Sequence, residues 1–401
     1  MKNDGSKISV PVLLLGAGML LLLLLLISQN LLLSGTPGYI THLLFRVAFW
    51  VTLPFRLLIL PIFPARDHHY PLAHWVVLSL GAPFFYYWVI VFVKVIMRGK
   101  RKGVPESREP APVMHAGRRR FLKMASLSFV LAGGGLCGYA ALIAPERLRV
   151  RRYRLPVKDL PHELVGLTIV HVSDTHYGPY NAMSYLQRAV KLANSLMPDI
   201  IVLTGDYVHR TPRSIKPGIE LLGALEARLG RVAVLGNHDH WEGAAACRAV
   251  FKRINIPLID NNRLFLTQHG LQAECAQGHA LCIAGVGDLL EDEILPKQAL
   301  GGVPADVPRI LLSHNPDVAE EMASPLRVDA ILSGHTHGGQ VNLPGIGTSR
   351  VASRYGNKYI AGLCAGPACP VIVSCGVGIS VLPLRFGVRP DIGCITLVAK
   401  R

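Results

Sequence analysis

The chain has 401 residues, half of them hydrophobic and 17% charged, which excludes a disordered polyelectrolyte and leaves room for two or three domain-sized units. Lys and Arg outnumber Asp and Glu by 42 to 26, a formal charge of +16, yet residues 1–149 hold 17 basic against 5 acidic residues and the remainder 25 against 21. The excess of +4 in the second part is too weak to mark a polyanion partner, so no nucleic acid is expected there. Eight cysteines without paired Cys-x-x-Cys knuckles exclude a zinc ribbon or a small disulfide scaffold.

Taken in chain order, residues 9–33 carry no charge and, at a helical rise of about 1.5 Å per residue, are long enough to cross a hydrocarbon core of about 30 Å. Residues 72–97 and 124–144 are two further apolar stretches. Residues 38–63 are interrupted by Arg46, Pro54, Arg56 and Pro61, so they read either as a fourth span or as an interfacial segment. The loop 98–123 carries nine basic residues against Glu106 and Glu109, and the positive-inside rule makes it cytoplasmic. The segment after it then carries the rest of the chain to the outer side of the cell (inner) membrane, whereas a cytoplasmic N-terminus with four spans would leave it inside. Within this loop Gly117-Arg118-Arg119-Arg120-Phe121-Leu122-Lys123 resembles a twin-arginine export signal and reads equally well as stop-transfer charge. The expected organisation is a multi-pass membrane region, 1–146, with three or four transmembrane helices in contact with lipid, followed by a domain over 147–401.

The second part repeats one pattern five times: a short Val/Ile/Leu run ends in polar residues able to bind a metal. These ends are Asp174-Thr175-His176, Gly205-Asp206, Gly236-Asn237-His238-Asp239, His314, and Gly334-His335-Thr336-His337. Continuous apolar runs of this length predict strands buried on both faces. Between them, Leu186, Ala189, Val190, Ala193 and Leu196 fall at helical spacing, as do Ile219, Leu222, Leu225 and Leu229. Alternating strands and helices predict an α/β sheet, and such sheets gather ligands at the carboxyl ends of their strands. Asp174, His176, Asp206, Asn237, His314, His335 and His337 are all oxygen or imidazole donors, a set suited to Mn, Fe or Zn in a hydrolytic site rather than to a structural zinc. Seven donors exceed the needs of one ion, so two divalent cations are expected, with Asp206 able to bridge them.

These five blocks, in this order between Asp174 and His337, resemble those of the calcineurin-like metallophosphoesterases, and the likeness extends from about Leu155 to Pro390. It is similar in particular to an exported or membrane-tethered bacterial branch that includes phosphodiesterases and lipid-linked UDP-diacylglucosamine pyrophosphatases. The resemblance implies a four-layer α-β-β-α sandwich. It further implies one metal on Asp174, His176, Asp206 and His337, and a second on Asp206, Asn237, His314 and His335. On this reading the ions turn a bridging water into hydroxide and place it in line with phosphorus. His238 then protonates the leaving oxygen, with Asp239 fixing its tautomer. His209, Arg385 and Arg389 are candidates for substrate contact, and His171 reads as a core residue.

The expected activity is therefore metal-dependent cleavage of a small or lipid-linked phosphoester, by class a phosphodiester. The competing readings are a pyrophosphatase on nucleotide-linked lipids, which would require a cytoplasmic domain, and a non-catalytic scaffold. Cys275 with Cys282, or two among Cys364, Cys369 and Cys375, are candidate disulfide partners if the domain lies outside.

Overall fold

A computed structural model describes residues 139–400 except 275–278, 323–325, 346 and 349–350, together with Met124, Ser128, Gly135, Leu136 and Gly138. The stretches 9–33, 38–63 and 72–97, the basic loop 98–123 with its twin-arginine-like run, and most of 124–138 lie outside the described residues. Among the described residues no helix is long and apolar enough to cross a membrane.

All five apolar runs form strands, and the reason is visible in their alternation. In β3 (Ile200–Thr204), Ile200 and Val202 enter one core while Ile201 and Leu203 enter another, so both faces are buried at the two-residue period of a strand. The first sheet contains β1 (Arg149–Val157), β2 (Thr168–Val172), β3, β4 (Gly230–Val234) and β12 (Asp391–Ala399), in the order β1-β12-β2-β3-β4. Its β2, β3 and β4 run parallel, and β12 is antiparallel to β2.

The second sheet contains β5 (Asn262–Thr267), β6 (Gly270–Gln272), β7 (Leu281–Gly285), β8 (Arg309–Leu312), β9 (Ala330–Ser333), β10 (Gly362–Ala365) and β11 (Pro370–Val373). Their order is β10-β11-β9-β8-β7-β5-β6, with β7, β8, β9 and β11 parallel. Each sheet is thus mixed.

Three apolar clusters order the layers. Ile169, Val202 and Val234 of the first sheet share a core with Ile283, Ile310 and Leu332 of the second. Val170, Leu203 and Leu235 on the other side of the first sheet pack with Leu186 of α1 (Met183–Ser195), Ile219 of α2 (Ile215–Leu222) and Phe251 of α3 (Asn237–Arg253). Leu311 and Ile331, on the other side of the second sheet, pack with Leu300 of α4 (Pro296–Leu300) and Val318 of α5 (Val318–Glu321). Each fully buried aliphatic side chain contributes about 1.5–3 kcal/mol by leaving water.

Two expectations need correction. The second helical pattern stops at Leu222: Gly223 caps α2, and Leu225 and Leu229 follow it outside the helix while staying buried, so the apolar spacing outlives the helix. Cys364, Cys369 and Cys375 form no disulfide, since each keeps its thiol, and Cys275 lies outside the described residues.

Candidate metal centre

The parallel strands β2, β3 and β4 of one sheet and β8 and β9 of the other all end at this site. Asp174 and His176 follow β2, Asp206 follows β3, Asn237 follows β4, His314 follows β8, and His335 and His337 follow β9. Asp174, His176, Asp206, His335 and His337 all have positive φ, between 44° and 69°, a conformation that costs a non-glycine residue roughly 1 kcal/mol or more. The backbone is bent at these points to turn the side chains inward. Glycines in the motifs serve the same packing: a Cβ on Gly236 would run into the Asp206 carboxylate, and one on Gly334 into Ser173 and the Asp174 carboxylate.

Six of the seven donors fall into two groups joined by one oxygen. In the first, His337 Nε2 lies 3.2 Å from Asp174 Oδ1 and 2.9 Å from His176 Nε2. In the second, His314 Nε2 lies 3.2 Å from His335 Nδ1 and 3.2 Å from Asp206 Oδ2. The same Asp206 oxygen is 3.4 Å from His176 Nε2, and so faces both groups. Two donors bound at right angles about 2.1 Å from one cation stand about 3.0 Å apart, which is the spacing found between these nitrogens. Asn237 Oδ1 is buried without a hydrogen-bond partner and its residue lines the same cavity. An orphaned carbonyl beside converging imidazoles and carboxylates fits a cation, and no protein group repays it.

Electrostatics point the same way. Burial opposes ionisation of Asp206, yet His314, His238 and His176 outweigh it and hold its carboxyl well below the usual carboxylate range. Burial likewise opposes a charge on His314, but Asp206, Asp174 and Asp288 overcome it and raise its pKa well above normal, so the carboxylates around it favour positive charge at this point. Burial and then the charge on His314 push His335 down to about 3. The Thr204 carbonyl lies 2.7 Å from His314 Nδ1, which must donate to it, and Nε2 is left bare for a metal.

His238 lines the cavity, packed edge-on against the Trp241 ring at 4.5 Å between centroids. Its expected partner is not the one found. Asn237, His238 and Asp239 begin α3 instead of standing on a loop, and the Asp239 carboxylate accepts backbone N–H groups from Gly236 (2.9 Å), Asp206 (2.8 Å) and Tyr207 (2.8 Å). It caps the helix and pins the Asp206 loop. The group 3.1 Å from His238 Nδ1 is His209 Nδ1, and burial lowers the pKa of both rings.

None of the three residues expected to touch substrate is among those lining the cavity. His209 is buried behind His238. Arg385 is fully buried, and its Nη2 donates to the carbonyls of Cys375 (2.7 Å), Gly376 (3.1 Å) and Gly378 (2.6 Å) and lies 3.4 Å from His337 Nδ1, so it braces a candidate ligand from behind. Arg389 is exposed and donates from Nε to the Arg147 carbonyl at 3.0 Å. His171 sits in the core with Nε2 2.8 Å from Thr204 Oγ1, and burial pushes it down to about 4.

Sequence reasoning passed over Asp288, which follows β7 and so obeys the rule of the other five strands. It is fully buried, its Oδ1 accepts the N–H groups of Leu290 and Glu291, and its Oδ2 has no partner. It thereby holds the loop that brings Leu290 to the cavity wall, where Trp241 Nε1 donates to Glu291 at 2.6 Å.

The family model for calcineurin-like phosphoesterases matches residues 167–339. Among curated proteins, the metallophosphoesterase YkuE of Bacillus subtilis is 32% identical over 286 residues, spanning 70% of this chain and 97% of YkuE. The phosphodiesterase YaeI of Escherichia coli is 30% identical over 286 residues, 70% of this chain and 99% of YaeI. The UDP-2,3-diacylglucosamine pyrophosphatase LpxG of Chlamydia trachomatis is 31% identical over 266 residues, 55% of this chain and 78% of LpxG.

Proposed function

Because the chain belongs to the calcineurin-like metallophosphoesterases, we propose that it is a membrane-anchored hydrolase that cleaves a phosphoester, by preference a diester, with two divalent cations. Asp174, His176, Asp206 and His337 would hold one cation, and Asp206, Asn237, His314 and His335 the other. When bound, such a pair polarises the phosphoryl group and lowers the pKa of the attacking water. The chain's own residues supply the rest. Asp206 faces both donor groups with a single oxygen, its loop is held by Asp239, and His238 at the cavity wall donates a hydrogen bond to the leaving oxygen. The observation that carries this reading is the position of Asp206 Oδ2, 3.4 Å from His176 Nε2 and 3.2 Å from His314 Nε2. Anchoring is supported by the uncharged stretch 9–33 and the apolar stretch 72–97.

Purified full-length protein supplied with Mn, Fe or Zn is expected to turn over a phosphomonoester, a phosphodiester or a pyrophosphate, the diester fastest. Asp206→Ala should reduce turnover roughly a hundredfold or more. Absence of turnover with every metal, or an Asp206→Ala chain as active as wild type, contradicts the reading.

A lipid-linked substrate is favoured by the cavity itself. Its volume is about 600 Å³, and beyond the metal-facing side it is walled by Trp241, Leu290, Val341, Val351, Val381 and Leu382. Val381 is 64% exposed and Leu290 47%, so apolar surface continues out of the cavity mouth. With phosphodiesters of increasing acyl length, kcat/KM is expected to rise about fourfold for each methylene that becomes buried, and a flat series contradicts a lipid-linked substrate. The relative LpxG acts on a nucleotide-linked lipid, and that chemistry becomes the better reading if a topology reporter fused after Leu300 lies in the cytoplasm. An extracytoplasmic reporter supports the diesterase.

A further inference from the structure

The contact between His209 and His238 determines which nitrogen of His238 faces the cavity. Arg210 Nε lies 3.0 Å from His209 Nε2. A guanidinium has only donors, so His209 Nε2 accepts and carries no proton. The neutral His209 ring then has its proton on Nδ1, which lies 3.1 Å from His238 Nδ1. That nitrogen must accept in turn, and the proton of His238 is left on Nε2.

We propose that His209 is a positioning residue, which together with Arg210 holds His238 as an Nε2–H donor directed at the cavity. The proposal rests on the hydrolase reading above and adds to it the order of the donors.

The surroundings keep this chain in register. Arg210 lies over the Tyr180 ring, 5.1 Å from its centroid, and Tyr180 packs against His209 at 5.4 Å. The His209 backbone N–H donates to the Tyr177 carbonyl at 3.0 Å. The His238 backbone N–H donates to Asp206 Oδ1 at 2.8 Å, so the donor ring and the shared carboxylate are fixed to one another. Nδ1 of His238 is occupied by His209, and with His238 at the cavity wall, Nε2–H is the donor it has to offer a leaving oxygen. His176, His209 and His238 also bring nitrogens close enough to suggest a third cation. The Arg210 contact argues against it, because a His209 that accepts at Nε2 has a protonated Nδ1 and no lone pair to offer there.

The test is a double-mutant cycle on the full-length protein in detergent, with diphenyl phosphate, whose phenolate leaves poorly without a donor, as probe and metal content measured on every variant. His209→Ala is expected to lower kcat about tenfold to a hundredfold with little change in KM and no loss of metal. His209→Asn, which restores a side-chain N–H near the Nδ1 position, is expected to recover most of that loss. His209→Ala placed on His238→Ala is expected to cost nothing further, because His209 acts only through the missing ring. Multiplicative losses in the double variant, an Asn variant as slow as Ala, or a metal equivalent that disappears with His209 each overturn the proposal while the hydrolase reading stands. A wild-type protein that hydrolyses no phosphoester with any metal overturns both.

Discussion

Asp206 performs four tasks with one side chain and one backbone unit. Its Oδ2 faces both histidine groups, its Oδ1 accepts the His238 N–H, its own N–H is held by Asp239, and its φ is +57°. A residue so used tolerates neither loss of charge nor displacement. The same logic reaches glycines that carry no chemistry. A methyl at Gly334 would press on Ser173 and on the Asp174 carboxylate, both fully buried. Gly334→Ala is therefore expected to destabilise the fold by about 1–3 kcal/mol and to lower metal content, most at the ion held by Asp174. Thermal unfolding and metal analysis check this, and a variant with normal Tm and full metal content contradicts it. At this scale the seven candidate ligands were legible in the sequence because each ends an apolar run. The partner of His238 was not, since it depends on a contact between residues 29 apart whose geometry only the packed loops create.

The decisive element is the start of α3. Gly236-Asn237-His238-Asp239 reads along the chain as a strand-end loop, but the chain turns directly into a helix there. Asp239 at the third helical position then collects three backbone N–H groups. Nothing in four consecutive residues discloses that two of those donors belong to the Asp206 loop, more than thirty positions earlier. Asp239→Ala should leave buried N–H groups unpaired at about 1–3 kcal/mol apiece, lower Tm by several degrees and weaken metal binding, with His238 still present. An Asp239→Ala protein with unchanged Tm and metal affinity contradicts this role. The strands were easier to read than the helices. Residues such as Ile201 and Val202 must be apolar whichever sheet face they occupy, whereas α2 ends at Leu222 while its apolar spacing runs on through buried Leu225.

For the molecule as a whole, the candidate centre is a seam. Loops from both sheets meet there, and the shared apolar core lies beneath them. Cations held across that seam would bind the folded state alone and stabilise it by about 2.7 kcal/mol each at a hundredfold excess over Kd. Removal of both ions by chelation is accordingly expected to lower Tm by roughly 10–20 °C, and readdition of Mn, Fe or Zn to restore it. A Tm indifferent to chelator contradicts metal bridging of the two sheets. The positive charge that dominates the composition belongs to residues 1–149, so this centre gains its attraction for phosphate from the ions it would hold.

The central claim is that one carboxylate oxygen serves two cations in a phosphoesterase. It is tested most directly by titrating metal into metal-free, full-length protein while following hydrolysis of bis(p-nitrophenyl) phosphate. Activity should rise until two equivalents are bound, and Asp206→Asn should bind less metal and stay inactive at every ratio. Saturation of activity at one equivalent, or no hydrolysis at any loading, would contradict the account.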